Sequence, residues 1–190
     1  QRILWASLSL WRIPHRTFIS PAARFLLSAR RPSRGYRAPR SMQRQLLDLL
    51  ELASGKTYAT PESLELDLAP ALFTDAERLL PTGPVYVGMA PGSGGLPKCW
   101  PVENFVAVAK AQAAKGRAPV FILGPKEADW KADLGAAVPE ARFPLQDTGV
   151  ETGHKYSPMF TIALARQLTV ALSNDSGAGH MLAVGGAPLV

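Results

Sequence analysis

Apolar and polar positions alternate in two rhythms from Pro84 onward. Short apolar runs at Val85–Met89, Pro119–Leu123 (PVFIL) and Leu168–Ser173 have the length and β-branched content of buried strands. A further short strand is expected at Arg142–Leu145. Between them, Val102–Lys115 places Phe105, Val106, Ala109 and Ala113 on one helical face, with Pro101 expected in the first turn and Gly116 ending the helix. Helices are also expected at Glu127–Ala137, Thr161–Gln167 and Gly179–Val184. Strands alternating with such helices predict βαβ units and a parallel sheet.

Before Pro84 the pattern is less regular. Ser41–Ala53 reads as a helix capped by Ser41, with Met42, Leu46, Leu49 and Leu50 at helical spacing and Gly55 as its stop. Thr57–Pro84 reads as a linker, with an edge strand in the alternating Leu64–Leu68 stretch and a short helix near Thr74–Leu80. Residues 1–40 set Trp5, Trp11, Phe18 and Phe25 among arginines, and Pro14, Pro21, Pro32 and Pro39 interrupt any long helix.

Composition changes this picture in three respects. An apolar fraction of 47% fits a globular chain, and nothing approaches the roughly 18 consecutive apolar residues of a membrane span. The single cysteine, Cys99, excludes an internal disulfide framework and fits a reducing compartment. The net charge of +6 conceals a division: ten arginines and no Asp or Glu precede Asp48, after which 11 Lys+Arg face 15 Asp+Glu. A basic front over a mildly acidic body suits nucleic acid, anionic lipid or an acidic substrate. Its Arg-rich, Ser-containing, acid-free start also has the composition of a transit peptide. The chain opens on Gln1, has its first methionine at Met42 and ends in what reads as a strand opening at Ala187–Val190, so it is expected to be an internal piece of a longer protein.

Three loops carry candidate chemistry. Pro91–Pro101 (PGSGGLPKCWP) combines Ser93, Gly94 and Lys98, suited to close backbone approach and charge neutralisation at a phosphate. It departs from GxxxxGK[ST], since Pro97 precedes the lysine, and from GxGxxG. The second loop, Asp175–His180, joins a strand to a helix through Ser176 and Gly177, a ready anion site at a helix start. Asp175, Ser176 and His180 do not make a hydrolase elbow, because Asn174 stands where GxSxG needs glycine. Asp175 and His180 are read as binding or orienting groups, against a plain alternative in which His180 tucks against the sheet. In the third loop, Gly124–Glu127, Glu127 follows the second strand, where a carboxylate can accept from a ribose diol or merely favour its helix N-terminus. His15, His154 and His180 lack metal-ligand spacing.

Together, PGSGGLPKCWP, FILGPKE and SNDSGAGHMLAVGGAPLV resemble the heptosyltransferase family, glycosyltransferase family 9. The likeness is good over 85–190 and weaker before. It implies a GT-B-like α/β fold, with a Rossmann-like parallel sheet and helices on both faces. Residues 84–190 would be the nucleotide-sugar-binding domain, truncated at its C-terminus, residues 55–83 the interdomain linker, and residues 1–54 the Arg-rich end of an acceptor-side domain. It implies inverting transfer of a sugar, most simply heptose, from an ADP-sugar donor to a lipid-linked oligosaccharide acceptor of the lipopolysaccharide-core type. It implies no cofactor and no metal. Ser93, Gly94 and Lys98 would bind the diphosphate, with Lys98 stabilising the leaving group, Glu127 the ribose, and Asp175, Ser176, Gly177 and His180 the diphosphate and sugar. The family's general base lies in a part absent here, so the fragment is expected to bind donor without turnover. The resemblance implies a cytoplasmic location, peripheral to the anionic inner membrane, and no nucleic-acid partner. Two alternatives remain open at this point: a non-catalytic nucleic-acid- or lipid-binding protein acting through its basic front, and a nucleotide-sugar epimerase.

Overall fold

Strand β1 (Tyr86–Ala90) is buried along its whole length, and the larger unit of the molecule is built outward from it. In a computed structural model describing residues 8–11, 17–60, 66–94, 99–147 and 156–190, β1 pairs in parallel with β2 (Ala118–Phe121) on one side and β3 (Val170–Ser173) on the other. Gly88 faces Val120 across one ladder and Ala171 across the other. Beyond β2, Arg142 bridges Val120 in parallel; beyond β3, Leu189 bridges Ala171 in the same sense. Five sheet positions therefore run third, second, first, fourth, fifth in chain order. This is the doubly wound order, and its direction of winding reverses between β1 and β3.

Both faces of the sheet are covered, which is why its strands read as continuous apolar runs rather than alternating ones. Tyr86, Ala90, Val120 and Ala171 pack on one face with α2 (Pro70–Leu79), α6 (Pro158–Ala165) and α7 (Gly177–Val184), through residues such as Leu72, Ala76, Leu164 and Leu182. Val87, Met89 and Phe121 pack on the other with Phe105 and Ala109 of α3 (Val102–Ala113) and Leu134 of α4 (Trp130–Ala137). Phe121 stacks on Phe143 with ring centroids 5.5 Å apart.

Several elements differ from the sequence expectation. Leu66–Leu68 is not a strand: Leu68 is buried in the core beside α2 without a ladder partner, and the rest of that stretch, Leu64 and Glu65, lies outside the described residues. Helix α2 begins at Pro70, four residues before the expected start, because proline suits the first helical turn. Pro101 is the cap residue of α3 rather than part of its first turn, with ψ 135° that no helical residue adopts. Arg142–Leu145 contributes one bridge and then turns into α5 (Pro144–Asp147), a single turn that Pro144 can open but that a strand interior would not accommodate. Glu127 precedes α4, which starts at Trp130; α6 spans Pro158–Ala165 instead of Thr161–Gln167; α7 starts at Gly177, two residues early.

The chain forms two compact units, Gln1–Leu64 and Glu65–Val190. In the first, helix α1 (Met42–Ser54) has Ser41 as N-cap, its hydroxyl accepting from the Arg44 N–H, and Gly55 as C-cap at φ 73°, where other residues are strained. Arg44 donates to Asp48 at 2.7 Å, to Glu51 at 2.6 Å and to the Tyr58 carbonyl at 2.9 Å. The Tyr36 hydroxyl donates to Asp48 at 2.8 Å. These bonds hold Asp48 and Glu51 below the usual carboxylate range: for Asp48 the Tyr36 hydroxyl and then Arg44 act, for Glu51 Arg44 and then the Tyr58 N–H. Among the described residues, no helix is long and apolar enough to cross a membrane.

Candidate functional site

The reversal of winding falls at the carboxyl ends of β1 and β3, the position where open α/β sheets bind ligands in a crevice. Two of the three loops singled out in the sequence leave the sheet there. After β1 comes Pro91–Gly94, and after β3 comes Asn174–Gly177. Asn174 joins them. Its amide donates to the Pro91 carbonyl at 2.6 Å, its side-chain oxygen accepts from the Trp100 N–H at 2.9 Å, and its own N–H donates to the Ala90 carbonyl at 3.3 Å. Asn174 is buried, and its bond to the Pro91 carbonyl is shielded from water. Trp100 in turn meets Phe105 of α3 edge to face, with centroids 5.2 Å apart, which fixes the far end of the glycine-bearing loop on the helix after it.

The β3 loop leads directly into α7. Ser176, extended at φ −150° and ψ 166°, caps the helix and accepts from the Gly179 N–H at 3.4 Å. The N–H groups of Gly177 and Ala178, in the first turn, have no acceptor within the helix and face outward with the positive end of its dipole. Gly179 lets this turn sit against the strand end: a Cβ there would come 2.7 Å from the Ser173 hydroxyl oxygen and 3.1 Å from the Asn174 carbonyl. Ser173 donates its hydroxyl to that same carbonyl at 2.7 Å.

The third loop meets the first through Glu127. A Cβ on Gly92 would come 2.7 Å from the Glu127 carboxyl carbon, and one on Gly124 would come 2.9 Å from its Oε2. The carboxylate thus lies between the loops that follow β1 and β2, on a half-buried residue whose backbone N–H donates to the Gly124 carbonyl at 3.2 Å. It stands before α4 and is not that helix's cap, which is Asp129.

Of the residues expected to act, Ser93, Gly94, Glu127, Asp175, Ser176, Gly177 and His180 all lie on loops or helix starts that follow β1, β2 or β3. Ser93 is half-buried and accepts from the Cys99 thiol, Sγ to Oγ 3.3 Å, which closes the loop on itself. Lys98 lies outside the described residues, as do Gly95, Leu96 and Pro97. Asp175 and His180 face each other at 4.0 Å, 89% and 81% exposed, so the histidine is not tucked against the sheet. With the Ser176 hydroxyl turned to the Gly179 N–H, these three residues do not form a hydrolytic relay. Among the described residues no group of three or more His, Cys, Asp or Glu is arranged to hold a metal ion. The role of Asn174 was missed in the sequence because its partners are 83 and 74 residues away. A buried-strand run ending in an amide side chain was the one available signal.

Comparison with known proteins gives a consistent result. No curated protein matches the chain. Among solved structures, a glycosyl transferase family 9 protein from Veillonella parvula aligns with TM-score 0.64 at 22% identity, covering 81% of this chain and 45% of that one. The E. coli ADP-heptose lps heptosyltransferase II aligns with TM-score 0.52 at 19% identity over 68% of this chain and 40% of its own. The E. coli heptosyltransferase WaaC, solved with ADP, aligns with TM-score 0.54 at 17% identity over 86% of this chain and 48% of its own. The chain spans less than half the length of these structures, and at such identities they establish the shared GT-B-type fold, of which this is a part. The family profile of glycosyltransferase family 9 (heptosyltransferase) matches residues 6–190. The chain belongs to glycosyltransferase family 9, the heptosyltransferases.

Proposed function

We propose that residues 84–190 bind the nucleotide diphosphate sugar, an ADP-sugar and most simply ADP-heptose, for transfer to a lipopolysaccharide-core-type acceptor. The observation that carries this reading is the joining of the β1 and β3 loops through Asn174 at the point where the sheet reverses its winding. There the first-turn N–H groups of α7 and the glycine-bearing loop offer donors to a single diphosphate. Glu127, held against Gly92, accepts from the ribose diol at the end of β2. A relative solved with ADP supports the choice of nucleotide.

In this reading the sugar's anomeric carbon is attacked by an acceptor hydroxyl from the face opposite the departing diphosphate, which inverts its configuration. Negative charge collects on the diphosphate as the bond breaks. The Lys98 ammonium and the N–H groups of Gly177 and Ala178 stabilise it where it develops, with Ser93, Gly94 and Ser176 lining the loops around it. Asp175 and His180, exposed at the mouth of the crevice, meet the sugar. A general base is still needed for the acceptor proton. None of the residues assigned here takes that role, so this chain alone binds donor without turnover. The reaction runs in the cytoplasm at the inner-membrane surface.

Calorimetric titration of ADP tests the assignment. Lys98→Ala is expected to weaken ADP binding, and Asp175→Ala the binding of an ADP-sugar titrated in parallel, by tens- to hundreds-fold, about 1.5–3 kcal/mol for a lost charge-assisted contact. Unchanged affinity in both variants would sink it. Because charge neutralisation is assigned to Lys98, stripping divalent ions with a chelator is expected to leave ADP affinity unaltered. A large loss on chelation would count against metal-independent binding.

A further inference from the structure

We infer that the first unit carries an anion site of its own, a cavity that takes a phosphomonoester group. It lies between the 3-10 turn Ala22–Phe25, the loop 31–36 and helix α1, and has a volume of about 730 Å³. Its wall includes Arg24, Arg31, Arg34, Tyr36, Gln45 and Leu49. Three arginines line one concavity; the carboxylate beside its wall, Asp48, bonded to Tyr36, is already paired with Arg44.

The arginines of this unit fall into two kinds. Arg44 is saturated by Asp48, Glu51 and the Tyr58 carbonyl, and Arg30 donates to the Leu52 carbonyl at 3.3 Å. Both hold α1 in place. By contrast, Arg24 and Arg34 have no carboxylate partner among the described residues, and Arg31 donates to the Leu26 carbonyl at 3.1 Å. Backbone strain accompanies the arrangement: Arg24 and Phe25 are both left-handed, at φ 54° and 64°. Such conformations persist where the surroundings enforce them, and they gather at ligand sites. Here the strained pair sends Phe25 into the interior, edge to face with Tyr36 at 6.0 Å, and leaves Arg24 on the cavity wall.

Guanidinium forks match the oxygens of a phosphate, and a phosphomonoester carries nearly two charges at neutral pH where a diester carries one. The cavity is wide enough for the group that bears the phosphate, either a sugar or a lipid headgroup. This inference stands independently of the donor reading, since it uses no residue of the sheet.

The test titrates the whole chain with inorganic phosphate, with glucose 1-phosphate, and with phosphatidylcholine vesicles containing phosphatidic acid or, as a diester control, phosphatidylglycerol. The double variant Arg24→Gln/Arg34→Gln is expected to lose about tenfold or more in affinity for the phosphomonoesters. Arg37→Gln/Arg40→Gln removes the same charge from arginines outside the cavity wall and is expected to change affinity less than about twofold. Affinity is expected to rise from pH 5.5 to pH 7.5 as the second phosphate ionisation, near about 6, is completed. The tighter of the sugar-phosphate and phosphatidic acid arms identifies the source of the group. Should the double variant unfold, Arg34→Gln alone, on the exposed loop, carries the same comparison. Equal losses in the two double variants, preference for phosphatidylglycerol, or tighter binding of a single-stranded oligonucleotide would each overturn the site in favour of diffuse attraction to a basic surface.

Discussion

The side chain of Asn174 uses both of its hydrogen-bonding ends, one on the Pro91 carbonyl and one on the Trp100 N–H. Replacing it with leucine keeps the branching but leaves the buried Pro91 carbonyl without its donor, and releases the Trp100 N–H, on an exposed residue, toward water. One such buried group costs about 1–3 kcal/mol, so Asn174→Leu is expected to destabilise the chain by about 1–3 kcal/mol in urea denaturation. A loss under about 0.5 kcal/mol would mean the bonds contribute nothing net. Gly92 makes a complementary case. An added methyl would meet the flexible end of Glu127, so Gly92→Ala is expected to leave stability nearly intact while displacing the carboxylate and lowering ADP affinity about tenfold. At this scale the loops that carry the candidates were readable, because Ser93, Glu127, Asp175 and Ser176 belong to local motifs that follow strands. The bonds that unite their loops were not, since they join positions far apart in the chain.

Helix α1 shows how much a single element can owe to its ends and its charges. Its limits follow from Ser41 and Gly55, two residues whose side-chain and backbone chemistry is local, and so they were legible to within a residue. The alternating Leu64–Leu68 stretch misled because alternation describes a half-buried surface, whereas a strand also needs a partner edge; Leu66–Leu68 has none. Arg142–Leu145 misled for the opposite reason: it does reach an edge, but Pro144 stops it after one bridge. The charges of α1 also set a pH dependence. Asp48 and Glu51 have folded-state values below their unfolded ones, so the folded chain binds fewer protons in acid than the unfolded chain. Their contribution is complete above the ordinary carboxylate range of about 4 and is lost as pH falls through the lower folded values. Thermal melts followed by circular dichroism are therefore expected to show stability falling below pH 4, with a shallower fall in Arg44→Met. An identical acid profile in that variant would contradict the role given to the cluster.

For the molecule as a whole, the sheet order places the ligand crevice, and the periodicity after Pro84 was enough to anticipate a parallel α/β sheet. It was not enough to say which strand lies at the centre. That required the burial of β1 on both faces, which a five-residue apolar run shares with any interior strand. Helix α7 is clasped at both ends, by Gly179 against Ser173 and by Gly185 against Ala165 and Ile162. A rod fixed at two points can neither slide nor tilt without opening the interior. The cradle at its tip is accordingly rigid before any guest arrives, and the amide protons of Met181–Val184 should exchange with deuterium as slowly in the empty protein as in the ADP-saturated one.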